Sequence, residues 1–156
     1  MRALRLVLAS QLFVLSTACG NVGLDALNSD TGALSAGAVL EIVPTGEIYF
    51  GEHSPDSPSA FQDITLKSTG DSQIAIIDVY LDDMTSQAFQ FASDDLPLPL
   101  RLQPGKDFPV TVSFSPYAVG QFTGTFVVEL DEGGDPAEHT RPLRGDGCPP
   151  DRPDCE

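Results

Sequence analysis

Apolar positions change rhythm twice along this chain. Residues 6–15 are almost unbroken in their apolar character, interrupted only by Ser10 and Gln11. Residues 20–37 then thin out into Gly, Ala, Ser, Asn and Asp, with Leu24, Leu27 and Leu34 isolated among them. From Val39 onward the apolar residues fall into short runs of a different kind. Phe108, Val110, Val112 and Phe114 alternate with Pro109, Thr111 and Ser113. Phe122, Phe126, Val128 and Leu130 alternate with Thr123, Thr125, Val127 and Glu129, and Ile64 and Leu66 with Thr65 and Lys67. A period of two is the mark of a strand with one buried face. Residues 74–81 are nearly continuous, which predicts a strand buried on both sides or crossing a sandwich. Phe89 and Phe91 predict a shorter strand. Residues 39–43 and 47–51 begin the series, and residues 137–143, weakened by Pro142, end it.

The runs are separated by turn chemistry: Ser68-Thr69-Gly70-Asp71, Gln103-Pro104-Gly105-Lys106, the segment 115–120, and Asp131-Glu132-Gly133-Gly134-Asp135-Pro136. In such segments Gly supplies positive φ, Pro fixes φ, and Asp bonds its own backbone. Strands recurring at roughly 8–15 residues, with no amphipathic helix between them, predict an all-β fold: an immunoglobulin-like, two-sheet antiparallel sandwich of about seven or eight strands. It spans residues 39–147. The phenylalanines Phe50, Phe61, Phe89, Phe91, Phe108, Phe114, Phe122 and Phe126 sit mainly at inward phases, so they read as core. Phe114 and Phe126 are expected to face inward from neighbouring strands. There is no Trp and no internal cysteine pair to pin the two sheets.

The N-terminal run is too short to span a bilayer, which takes about 20 apolar residues. Arg2 and Arg5, the apolar core and the small residues Ser16-Thr17-Ala18 predict a secretory signal peptide over residues 1–18. Ending on Cys19, it resembles a bacterial lipoprotein signal, in which the cysteine is lipidated and becomes the mature N-terminus. One departure is that Ser16 stands where family members usually carry Leu, with Leu15 one place further back. Ordinary cleavage also cuts after Ala18 and would leave Cys19 as a free thiol. The cysteine at that position favours the lipid, and Cys19 is the expected lipidation site. Residues 19–38 then form a lipidated N-terminus and flexible linker, in which the 18 residues 20–37 would span roughly 20–25 Å as a coil.

Charge narrows the possible partners. The chain carries 8 Lys+Arg and 23 Asp+Glu, a formal net charge of −15. Loss of Arg2 and Arg5 with the signal takes this to −17. Nucleic acid, whose phosphates require a basic patch, is not an expected partner. Nor is an anionic membrane surface held by electrostatics alone. Beyond Cys19 there are two cysteines, Cys148 and Cys155, in a Pro-rich tail over residues 148–156. In an oxidising compartment they are expected to pair as a terminal clasp, contributing roughly 2–3 kcal/mol to local order; linkage between molecules is the other reading.

Candidate chemistry is sparse. Asp82-Asp83, Asp94-Asp95 and the Asp131–Asp135 segment could offer oxygens to Ca²⁺, but their spacing matches no calcium loop, and solvated turn charges explain them. His53 and His139 have no nearby cysteine or paired histidine. No G-x-S-x-G, H-E-x-x-H or phosphate loop occurs. No catalytic, metal or cofactor residues are therefore expected, and the protein reads as a non-enzyme.

One set of segments carries a family likeness. In order come Leu66-Lys67-Ser68-Thr69-Gly70-Asp71-Ser72, Leu102-Gln103-Pro104-Gly105, Val112-Ser113-Phe114-Ser115-Pro116 followed by Gly120-Gln121-Phe122-Thr123-Gly124, and Leu143-Arg144-Gly145-Asp146-Gly147. Together they resemble the HYDIN-like immunoglobulin domains, also called ASH or choice-of-anchor D domains, over nearly all of residues 39–147. The resemblance implies an interaction or structural module related in fold to major sperm protein and pilus-chaperone domains, with no binding residues to carry over. Combined with the signal, it implies a lipid-anchored envelope protein with an envelope or extracellular protein as partner. Gly20 in place of an inner-membrane retention aspartate favours the outer membrane. A glycan- or small-ligand-binding surface module is the alternative, and it requires exposed aromatics gathered on one sheet face or loop cluster.

Overall fold

The computed structural model describes residues 37–93, 96–133, 136–153 and 155. The signal peptide, Cys19, the linker as far as residue 36, Asp94-Asp95 and Gly134-Asp135 lie outside the described residues. Nine strands follow in order: β1 (Leu40–Val43), β2 (Ile48–His53), β3 (Ala60–Ser68), β4 (Ile74–Leu81), β5 (Phe89–Phe91), β6 (Leu100–Leu102), β7 (Asp107–Phe114), β8 (Gly120–Leu130) and β9 (Ala137–Gly147). They form two sheets, ordered β1-β3-β7-β5 and β2-β9-β8-β4-β6. The sandwich is as expected, with one strand more than the pattern suggested. The extra strand is β6, three residues within an alternating Leu-Pro stretch. One pairing departs from the antiparallel expectation: β2 runs parallel to β9.

The core lies between the sheets. Ile64, Leu66, Val110, Val112 and Phe114 from one sheet meet Ile74, Ile76, Phe126, Val128, Leu130 and Leu143 from the other, all essentially without solvent contact. Phe114 and Phe126 do face inward, but from opposite sheets rather than neighbouring strands. Phe61 is a correction to the inward reading. It lies opposite Ser113 in β3, out of phase with the inward Ile64 and Leu66, and is 61% exposed. The continuous apolar run in β4 has a specific cause. A bulge between Ile76 and Asp78 inserts a residue and resets the phase, so the inward positions are Ile74 and Ile76 before it and Val79 after it.

Two glycines explain why β9 continues past Leu143 to Gly147. A Cβ on Gly145 would stand 2.5 Å from the Phe114 ring, and one on Gly147 would run into the Ala118 carbonyl. The Phe114–Phe122 segment and the Leu143–Gly147 segment are thus two halves of one packing arrangement. Pro142 does not interrupt the strand. The Cys148 N–H donates to His53 O, so by alternation the Pro142 nitrogen faces the β2 side, just before the β2 ladder begins at Leu143.

Register also fixes the polarity of the sandwich. Leu40 lies opposite Ser68, and Gly105 N–H donates to Ser68 O; this end, the base, carries residues 37–39, 69–73 and 103–106. Gly120 lies opposite Gly147, and Ala60 opposite Phe114; this end, the tip, carries residues 54–59, 115–119 and the tail from Cys148. The 11 residues of β8 separate the ends by about 35 Å.

The exposed strand edges are blunted by side chains. On β1 the outward Ile42 carbonyl accepts from Arg141 Nη2 at 3.4 Å. On β2 a bulge places Gly51 at φ 92°, and the Phe50 carbonyl accepts from His53 Nε2 at 2.9 Å. β6 covers β4 only over Ile74–Ile76, and beyond it the Val79 N–H is taken by Asp78 Oδ1 at 2.8 Å. β5 covers β7 only to Val112, and beyond it the residue facing the gap is Pro109, which has no N–H to offer. Each device removes a group that a foreign strand would need for pairing.

Candidate interaction surface

Away from these edge positions, exposed apolar side chains mark where contact can form. Three of them lie in the loops β4–β5 and β7–β8: Met84, 89% exposed, Tyr117, 70% exposed, and Val119, 61% exposed. Met84 and Tyr117 flank a shallow, open groove of about 600 Å³, with Thr85, Ser86, Gln87, Gln121 and Thr123 on its walls and Phe122 among its lining.

The local sequence holds this groove in shape. Asp82 opens the β4–β5 loop with a turn of its own: its Oδ1 accepts from the Met84 N–H at 2.8 Å and its carbonyl from the Thr85 N–H at 2.8 Å. The loop then runs along β8 as an irregular extension of the sheet. Thr85 Oγ1 accepts from Thr125 N–H at 2.9 Å, and Ser86 N–H donates to Thr123 O at 3.1 Å. On the other wall, Ser115 N–H donates to Ala88 O at 2.8 Å, joining the β7–β8 loop to the end of the β4–β5 loop. Tyr117 and Phe122 pack in a T-shaped contact with centroids 5.0 Å apart, and Phe122 packs against Phe114 at 5.8 Å. Phe114 in turn contacts Phe89 at 5.0 Å and Phe50 at 5.9 Å. A column of aromatic rings therefore runs from the core to the exposed tyrosine, each pair adding about 0.5–1.5 kcal/mol beyond area burial.

A second cluster lies on the outer face of the β2-β9-β8 sheet. Tyr49 Oη donates to Asp146 Oδ2 at 3.0 Å, Arg144 Nη2 donates to the same oxygen at 3.0 Å, and the Arg144 guanidinium sits 5.2 Å from the Tyr49 ring centre. Loss of water contact and the Asp146 carboxylate push the Tyr49 phenol upward. Further along this face Tyr80 Oη reaches Glu129 at 3.2 Å and Glu138 at 3.3 Å. Desolvation first, then the negative charge of Glu138 and Glu129, push Tyr80 up to about 12.

The residues singled out from sequence are accounted for differently. Cys148 and Cys155 form a disulfide with Cα atoms 5.9 Å apart, and Arg152 within the loop pairs with Glu52 at 3.0 Å. Cys19 and Asp94-Asp95 lie outside the described residues. Asp82 Oδ1 is used in its turn, and Asp131 Oδ1 likewise accepts from Gly133 N–H at 2.9 Å. Among the described residues no three His, Cys, Asp or Glu side chains converge to hold a metal. His53 bonds Phe50 O and packs on Phe114, while His139 pairs with Val128 eight residues down β9 from the position opposite His53. The more exposed aromatics do not gather as a glycan platform would require: Tyr49 and Phe61 stand on different sheets and Tyr117 at the tip. Met84 and Tyr117 were not singled out by sequence pattern. Their only trace is that a large apolar residue follows Asp82-Asp83 and two more occupy the 115–120 turn, outside any strand rhythm.

No protein-family model and no curated protein matches the chain. Solved structures share its fold, a β-sandwich of the kind seen in ASH/PapD-like domains. The chain is similar to the ASH/PapD-like domain of human CEP192 (PapD-like domain 7), with a TM-score of 0.54 at 15% identity, covering 90% of this chain and 96% of that one. It is similar to the Vibrio cholerae VesB protease, TM-score 0.55 at 15% identity, covering 69% of this chain and 31% of that one. A protein of unknown function from Porphyromonas gingivalis W83 matches with TM-score 0.54 at 13% identity, over 73% of this chain and 50% of that one. The chain thus spans about a third of the protease and half of the P. gingivalis protein, and at these identities the likeness is one of fold.

Proposed function

We propose that this protein is a non-catalytic, lipid-anchored component of a bacterial envelope whose HYDIN-like immunoglobulin sandwich binds another envelope or extracellular protein. The observation that carries the reading is the placement of Met84, Tyr117 and Val119: large apolar side chains held in water by a hydrogen-bonded frame, at the end of the sandwich opposite Gly37. Anchored through Cys19, the domain stands with its base toward the membrane and its tip outward. The motif Gly20 after Cys19 supports the outer membrane as its location.

Two measurements test this reading. Cys19→Ser should move the protein from the detergent phase to the soluble fraction, because each buried acyl CH₂ contributes about 0.8 kcal/mol to membrane affinity; unchanged partitioning contradicts the anchor. A photo-crosslinking side chain at Tyr117 should trap a discrete envelope protein in cells, while the same group at Thr65, on the outer face of the other sheet, should not. Equal trapping at both positions contradicts a tip-centred interaction.

A further inference from the structure

Resting on that reading, we infer that the tip groove receives a basic polypeptide segment of its partner, an arginine or lysine seated over Tyr117 with a neighbouring apolar side chain against Met84. Charge complementarity is the ground for this assignment. No Lys or Arg lines the groove. The loop that carries Met84 begins with Asp82-Asp83, and neither is paired with a cation among the described residues. Of the three arginines of β9 and the tail, Arg144 is engaged by Asp146 and Arg152 by Glu52, and Arg141 is turned to the Thr140 and Ile42 carbonyls. The loop on one side of the groove thus opens with two carboxylates, one of them bonded to the Met84 N–H, and no positive charge stands in the groove's lining.

Its remaining chemistry suits a peptide. Tyr117 packs on Phe122 through a T-shaped contact and keeps 70% of its surface open, so its ring can accept a cation. Met84 is unbranched and polarizable, a side chain that adapts to varied apolar partners. Gln87 and Gln121 offer amides for a peptide backbone. A second copy of the chain is disfavoured by mutual repulsion, since each copy has a formal charge of −15 with its signal and is more negative without it.

The test uses Met84 as reporter. The chain has 2 Met, and Met84 is the one beyond the signal, so methyl-labelled methionine places a probe in the groove itself. Two synthetic peptides of equal length and leucine content, one with lysine and one with glutamate at its polar positions, are titrated into the full chain. The lysine peptide should shift the Met84 methyl resonance to saturation, more weakly as salt is raised, and the glutamate peptide should not. Tyr117→Ala should weaken the lysine peptide about tenfold, the scale of a contact worth about 1.4 kcal/mol, and Tyr117→Phe, which keeps the ring, should restore it. Binding unaffected by Tyr117→Ala would mean general attraction to an acidic surface and overturns the inference. A Met84 shift that depends on the protein's own concentration would point to a second copy, and one produced equally by a neutral oligosaccharide to a glycan; either overturns it. Crosslinking at Tyr117 that succeeds while the peptide test fails would leave the interaction reading standing and remove only the basic partner.

Discussion

At the scale of single residues, the packing of Phe114 on Gly145 ties two distant segments together. Phe114 is fully buried, and its truncation to Ala should cost about 3–5 kcal/mol in denaturant unfolding. Gly145→Ala places a methyl where the ring stands and should cost about 1–3 kcal/mol by overpacking. Because the two changes meet in one space, the double variant should lose less than the two single losses added together; strict additivity would mean that the ring does not rest on this glycine. Tyr80 makes a second prediction. The phenolate absorbance titration should contain a component near pH 12 that Tyr80→Phe deletes. Since the folded state raises this group above its ordinary value of 10.0, the stabilisation linked to it is fully present below pH 10 and is lost as pH rises toward 12. Wild type and Tyr80→Phe should therefore converge in stability across that window.

At the scale of elements, legibility followed exposure. β3, β7 and β8 each turn one face to the core, and that face could be read directly from Ile64 and Leu66, Val110 and Val112, Phe126 and Val128, even though Val127 is buried on the other face of β8. β4 could be placed but not phased, because the bulge after Ile76 is a backbone event that apolar residues on both sides of it conceal. β9 looked shorter than it is, because its apolar rhythm stops at Leu143, and the reason for Gly145 and Gly147, the packing of Phe114 and Ala118, is more than 25 positions away. The groove was illegible for a similar reason. Met84 and Tyr117 become neighbours only once the segment 82–88 has laid itself along Thr123 and Thr125 of β8. The tail belongs to this scale too. Cys148 is buried and its N–H extends the β9–β2 ladder to His53, so the disulfide braces a strand end rather than the core. Non-reducing mass spectrometry should show Cys148 and Cys155 closed within one C-terminal peptide. Cys155→Ser should speed amide exchange at Cys148 and Arg152 while leaving Val127 and Val128 protected. A disulfide-linked dimer through these positions would contradict the clasp.

At the scale of the molecule, the ends of the described chain lie on opposite poles. Gly37 accepts at its carbonyl from Asp71 N–H at the base, and Cys148 leaves β9 at the tip. A tension applied between these points runs parallel to the strands and at right angles to the hydrogen bonds of the antiparallel ladders. The β1–β3 ladder, from Leu40–Ser68 to Val43–Thr65, would then be sheared as a set instead of being unzipped pair by pair. Resistance to pulling is governed by the rate of forced unfolding rather than by equilibrium stability. The sandwich is thus arranged as a tensile link, loaded along its strands between Gly37 at the base and Cys148 at the tip.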